Sequence, residues 1–244
     1  MARLNFFKKA VITASAVFVL FSCRDKEPQK LWCDCADELF YYYYDGHVYE
    51  KIFLDDVFLN DWLVVGIESQ VKDEEIVNFI NQTGLFKPVK TSDVIFGRPS
   101  QDDEIDDYPD DEYMHLIFVN TLKPKTCSQL KEIIQTLEKS SFVAYANLTF
   151  ETNWHGELIN MDLMSFTNEV IVKLKKLDDL PVLNSITSET NTQIKKQMRP
   201  EAPIFIISTN KNSKGNALQM ANYFHETGNF EWAEPNKLYA KVNR

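Results

Sequence analysis

Residues 216–236, NALQMANYFHETGNFEWAEPN, decide how the chain is read. They form a helical pattern that stops at Thr227-Gly228 and runs directly into a short strand. A helix joined so tightly to a strand closes a larger unit, and the elements before it show which one.

Residues 163–236 give, in order, a strand (TNEVIVKLKKL, 167–177), a short helix (DLPVLNSITSE, 179–189) and a strand (TNTQIKKQM, 190–198). A further strand (APIFIISTN, 202–210), the helix at 214–228 and the last strand (NFEWAEP, 229–235) complete the set. Residues 61–152 repeat that order. DWLVVGIE (61–68) is a buried strand, and KDEEIVNFINQTG (72–84) sets Ile76, Phe79 and Ile80 at helical spacing before a Gly84 C-cap. LFKPVK (85–90) is a short extended piece, and YMHLIFVN (113–120) is a strand. KTCSQLKEIIQTLEKS (125–140) aligns Leu130, Ile133, Ile134 and Leu137 on one helical face, and SFVAYANLTFE (141–151) closes the half as a strand.

The order βαββαβ is the split βαβ layout of ferredoxin-like folds, in which two helices cover one face of an antiparallel sheet. The expected fold is therefore α+β, with two tandem ferredoxin-like (βαββαβ) units preceded by a β-hairpin. The hairpin belongs to 39–60, where Asp45-Gly46 separates two aromatic and β-branched runs in LFYYYYDGHVYEKIFL. Aromatic residues are ordinary strand formers, so Tyr41 to Tyr44 read first as packing and second as a carbohydrate-stacking platform.

The balance of 36 acidic against 26 basic residues gives a net charge of −10, which argues against nucleic acid as a partner. With only seven glycines and no phosphate-cradling spacing, nucleotide chemistry is disfavoured as well. Hydrophobic residues at 44% provide for a sizeable core.

At the amino terminus, Arg3, Lys8 and Lys9 precede an apolar run from Ala10 to Phe21, then Ser22 and Cys23. That is a secretory layout, and the run is short for a membrane span. Leu20-Phe21-Ser22-Cys23 resembles the bacterial lipobox, which implies a signal peptide at 1–22, lipidation of Cys23 and a tether over 23–38. Acyl chains bury CH₂ groups at about 0.8 kcal/mol each, and two or more hold a protein stably. The expected location is the cell envelope, lipid-anchored at the outer membrane or cell surface.

Such a compartment permits disulfides. Cys33 and Cys35 are too close to bridge each other without strain, so any bridge should join one of them to Cys127. Neither the cysteines nor His47, His115, His155 and His225 have metal-site spacing, and the eight acids within 101–112 lack the EF-hand pattern and read as a solvated loop. No cofactor or metal is expected.

FTNEVIVKLKKL (166–177) followed by NSKGNALQMANYFHETGNFEWAEPN (212–236) resembles the end of the amino-terminal prosegment of subtilisin-like (S8 family) serine peptidases from Bacteroidetes. The aromatic hairpin is similar to the segment that opens such proteins. The catalytic domain that follows in the family has no counterpart here. His155-Gly156 continues as Glu-Leu, and no Gly-Thr-Ser supplies a nucleophile beside a base, so the chain is not read as an enzyme.

The resemblance implies binding. Prosegments of that family fold and inhibit their protease by laying the sheet on it and passing an extended tail into the cleft. The corresponding residues would be Asn236, Lys237, Leu238 and Tyr239, with 237–244 as the tail. The expected function is thus a non-catalytic envelope lipoprotein that binds a subtilisin-like protease or another protein. The alternatives are a peptidase remnant lacking its catalytic domain and a surface adhesin or glycan-binding accessory.

Overall fold

The structure, a computed structural model, describes residues 42–46, 50–54, 58–97, 114–151 and 163–241, all within one compact unit, Leu31–Arg244. A hairpin of β1 (Tyr42–Asp45) and β2 (Glu50–Phe53) leads in. The first set comprises β3 (Phe58–Glu68), α1 (Asp73–Thr83), β4 (Val94–Gly97), β5 (Met114–Asn120), α2 (Cys127–Leu137) and β6 (Val143–Glu151). The second comprises β7 (Leu163–Leu174), α3 (Leu180–Thr190), β8 (Gln193–Arg199), β9 (Ala202–Ser208), α4 (Ala217–Glu226) and β10 (Phe230–Ala240). The fold is α+β, and every strand pair among the described residues is antiparallel.

The helix ends follow local chemistry. Thr126 and Gln129 form a reciprocal capping box at the start of α2, and Asn216 and Gln219 do the same for α4. Gly84, with φ of 65°, closes α1 in the left-handed conformation that glycine adopts without a Cβ penalty. Ile76 and Ile80 of α1, with Leu130, Ile133 and Leu137 of α2, then pack on Leu63, Val65 and Ile67 of β3. The second pair of helices covers Val170, Val172 and Leu174 of β7 in the same way.

The two sets do not stand as separate sheets. One eight-stranded sheet runs β4-β5-β3-β6-β7-β9-β8, with β10 also paired to β7. β10 occupies one edge of β7 from Leu174 to Leu163, so β6 and β9 share the other edge. β6 takes Leu163 to Ser165 and β9 takes Glu169 to Lys173. The first core reaches across this junction to Met164, Phe166 and, from α4, Leu218.

The opposite face is also filled around the first set. Val64, Leu116, Phe118 and Tyr145 cluster there with Leu163, Leu238 and Ala240, which explains why all seven positions of β5 are buried. Several boundaries differ from the sequence reading, and β7 begins at Leu163 where the reading had 167. The edge strand is Val94–Gly97, not 85–90, where Phe86 makes only an isolated bridge to Thr121. β3 begins at Phe58, inside the span expected for the hairpin. β10 continues beyond Pro235 to Ala240, because a bulge between Pro235 and Lys237 absorbs the proline in a strand that pairs only with β7.

Gly66 faces Tyr145 across the β3–β6 ladder, and a Cβ there would overlap the Tyr145 ring. That ring is 5% exposed and has little room to retreat. Gly66→Ala should therefore cost about 1–3 kcal/mol, read as a lowered urea midpoint at unchanged slope.

Candidate functional site

The Asn168-Glu169 pair on β7 and the Ala233-Glu234-Pro235-Asn236 run on β10 lie far apart in sequence and meet in one polar cluster. The Glu169 carboxylate is 3% exposed and accepts hydrogen bonds from Lys195 at 2.9 Å and Asn236 Nδ2 at 3.0 Å. Asn168 Nδ2 donates to the Thr209 carbonyl at 3.4 Å, and Thr209 N–H returns a bond to Asn168 O at 2.7 Å.

Glu234 serves the hairpin instead. It accepts from the Gly46 N–H at 3.1 Å, while Lys237 donates to Asp45 at 2.9 Å and stands 4.6 Å from the Tyr43 ring centre. A Cβ on Gly46 would lie 2.8 Å from the Trp232 ring, so glycine lets the turn close on β10. Burial alone would lower the Lys237 ammonium, but the Tyr43 hydroxyl, the Asp45 hydrogen bond and the Glu234 charge outweigh it and hold it above the usual lysine range. Burial pushes Tyr43 itself up to about 12. The cluster is charged, buried and paired, which suits a latch better than a reactive centre.

The outer face of the hairpin carries Tyr42, Tyr44, Lys51 and Phe53. Both tyrosine hydroxyls donate to Glu226, at 2.6 and 3.1 Å. Tyr44 stacks on His225 with ring centres 3.7 Å apart, and the Lys51 ammonium covers Tyr42 at 3.4 Å. Each ring thus already has a partner over one face, and the hydroxyls are committed, so the tyrosines serve docking more than carbohydrate stacking. Burial lowers His225, against the opposing charge of Glu226.

The residues expected to form a free binding tail are structural. Asn236, Lys237, Leu238 and Tyr239 all lie within β10. Leu238 pairs with Ser165 and is 8% exposed, while Tyr239 pairs with Met164 and packs on the first core. The bulge flips the alternation after Pro235 and so gives these side chains two buried faces. Cys127 opens α2, is buried and is disulfide-bonded, its partner lying outside the described residues. Cys23, Cys33, Cys35, His47, His155 and the acidic run at 101–112 also lie outside them. His115 is buried, with Nε2 at 3.0 Å from the Ser69 carbonyl and Nδ1 at 3.1 Å from Asp73.

Sequence reasoning missed a cleft where β6 parts from β7. Its volume is about 360 Å³, and α2, β6, the 209–216 loop and the start of α4 form its walls. Asn147 spans the fork by donating from Nδ2 to the carbonyls of Phe166 and Thr167, at 2.8 and 3.2 Å. Glu138 accepts from the Ala146 N–H at 3.4 Å, and Lys211 donates to the Ser140 carbonyl at 2.5 Å. Burial raises the Glu138 carboxyl, offset in part by the Ala146 bond and Lys211. The available signal was Asn147 and Thr149, polar residues within the apolar middle of β6. A second cavity of about 390 Å³ lies where Ala240 and Lys241 meet Trp62, Phe118 and Asn120.

No protein-family model matches the chain, and no curated protein matches it.

Three outcomes follow from these contacts. Glu169→Ala removes the carboxylate that Lys195 and Asn236 share and should cost about 2–3 kcal/mol in urea unfolding, less than a fully buried pair because Lys195 keeps some access to water. Replacing the exposed Glu189, which pairs with Lys214, should leave the midpoint unchanged. His225 has a folded pKa below its ordinary 6.5, so as pH falls through about 6.5 the unfolded chain takes up a proton that the folded one resists, and stability drops. His225→Phe keeps the stack on Tyr44 and should lose less stability than the parent between about pH 7 and about pH 5.

Proposed function

We propose that the chain is a non-catalytic, lipid-anchored envelope protein whose two ferredoxin-like modules bind a partner protein, with a subtilisin-like protease as the leading candidate. The observation that carries this reading is the meeting of Glu169 with Asn236, which joins the two sequence runs behind the prosegment resemblance in one hydrogen-bonded cluster. Strand order supports the module assignment. Within the single sheet the first set runs β6-β3-β5-β4 and the second β10-β7-β9-β8, each with its helices on one face, as a ferredoxin-like unit would. The disulfide at Cys127 suits an oxidising compartment such as the envelope.

Engagement through a free tail is the part of the family pattern that this chain fits least. Removing Leu238 from its cluster to serve a protease cleft would expose the side chains of Val64, Leu116 and Leu163 around it, which favours binding through a preformed surface. Main-chain recognition and surface complementarity need no nucleophile, in keeping with a sequence that lacks the peptidase triad.

The test is an inhibition assay of the full chain against a subtilisin-like protease of the same organism, with a chromogenic peptide substrate. Slowed turnover with the chain recovered intact, and no loss of effect when Leu238→Met preserves the packing of β10, is the expected result. Digestion of the chain without slowing of the protease would sink the reading.

A further inference from the structure

Between β3 and β5 Trp62 pairs with Asn120 and Val64 with Phe118, and between β4 and β5 Ile95 pairs with Leu116. Paired residues point the same way and alternate residues share a face, so Trp62, Ile95, Phe118 and Asn120 stand together on the face opposite the helices. They line the second cavity, of about 390 Å³, together with Lys87 and Asp93 of the preceding loop and Lys241 after β10. That volume lies at the lower end of the range for small-molecule sites. Trp62 is half-buried and Ile95 is 47% exposed, so apolar surface faces the opening. Neither the Trp62 nor the Phe118 ring stacks on another ring among the described residues.

The polar exception in this surface is Asn120, which is 7% exposed. Its Nδ2 donates to Asp61 at 3.2 Å, outside the cavity lining, which leaves Oδ1 to the cavity. Turning the amide over would set its oxygen against the Asp61 carboxylate, so the acceptor is fixed in place. Oδ1 is shut off from bulk water and has no donor among the described residues. A buried acceptor left unpaired is costly, and a bound O–H or N–H group recovers that loss. The charges around it are also unequal in their commitments. Lys87 and Lys241 are exposed and form no ion pair among the described residues, whereas Asp93 accepts from the Lys90 N–H at 2.8 Å and the Ser92 hydroxyl at 3.5 Å.

Apolar rings, one inner acceptor and two uncommitted ammonium groups are met together by an aromatic ring with a donor at one end and an anion at the other. We infer that the cavity binds a small aromatic acid, a phenolic or indolic carboxylate, with its ring O–H or N–H on Asn120 Oδ1 and its carboxylate toward Lys87 and Lys241. The ring rests on Trp62 and Phe118, which supply most of the contact area. Asn120 selects for the donor, and the lysines set which end enters first. The site does not depend on the protein-binding reading above.

The experiment titrates the isotopically labelled full chain with 4-hydroxyphenylacetate and follows the Asn120 side-chain amide and the Trp62 indole resonance. The expected result is movement of both, with a Kd of about 0.1–1 mM. Phenylacetate, which lacks the donor, should bind roughly tenfold more weakly. 4-Hydroxyphenylacetamide, which lacks the charge, should bind about two- to fivefold more weakly, the modest effect expected of exposed lysines. Replacing Lys87 and Lys241 together by Gln should remove the advantage of the acid over the amide. Ile95→Trp, a strand-compatible change at an exposed edge position, should fill the opening and abolish binding with the urea midpoint unchanged. Still resonances at about 5 mM probe overturn the inference and leave Asn120 Oδ1 to a buried water. Equal binding of all three probes, or unaltered binding in Ile95→Trp, overturns it as well.

Discussion

A strand has two edges, and β7 pairs with three strands. That constraint organises the molecule. β10 uses one edge along its length, so β6 and β9 must divide the other, and the sheet forks where one gives way to the next. The fork leaves main-chain groups that a continuous ladder would have satisfied, and buried groups of that kind cost about 1–3 kcal/mol each when unpaired. Short polar side chains answer them. Asn147 donates to the carbonyls of Phe166 and Thr167, and Ser165 donates to that of Leu148. Apolar residues would pack at these positions but leave the carbonyls stranded.

The fork also explains why the two sets cannot be parted cleanly. Phe166 belongs to β7, yet its ring lies 5.7 Å from Phe150 of β6 and 5.8 Å from Tyr43 of the hairpin. Phe150 is 1% exposed, and burial of such a side chain is worth about 3 kcal/mol at most. The hairpin then closes the structure by lying along β10, where Glu234 holds the Gly46 N–H and Lys237 holds Asp45. An edge strand covered in this way is protected from pairing with other chains. Among the described residues β4 and β8 end the sheet, and the stretch of β6 beside the cleft is a further edge with no second strand.

Much of this was legible because hydrophobic spacing reports locally. The helices at 73–83, 127–137 and 217–226 fall inside the spans read from the sequence, and the one at 180–190 runs a single residue past the span 179–189. Val94–Gly97 escaped because four residues cannot establish a period, and β10 was cut short at Pro235 because proline ordinarily argues against continuing a strand. Neither error could be corrected locally, since the bulge that accommodates Pro235 exists only against β7. The cleft was invisible for a related reason. It is made by the failure of two strands to pair, and a sequence pattern records which residues favour a strand, not where its ladder stops.

The contacts of the motif residues change what the family resemblance can mean for mechanism. Glu169 is occupied by Lys195 and Asn236, Glu234 by the hairpin turn, and Leu238 by the cluster around Val64 and Leu116. These residues hold strands together, and offering Leu238 to a partner would require part of β10 to leave the sheet. A sequence likeness that runs through them is therefore an argument about architecture, and function must be argued from surfaces the architecture leaves free. The outer face of the hairpin has its rings covered and its hydroxyls engaged. The β6 edge differs in that residues 143–148 have β3 on one side and no strand on the other among the described residues. The outward groups identified there, the Ala146 N–H and the Leu148 carbonyl, are taken by Glu138 and Ser165, so the fork is closed by side chains where a strand is missing.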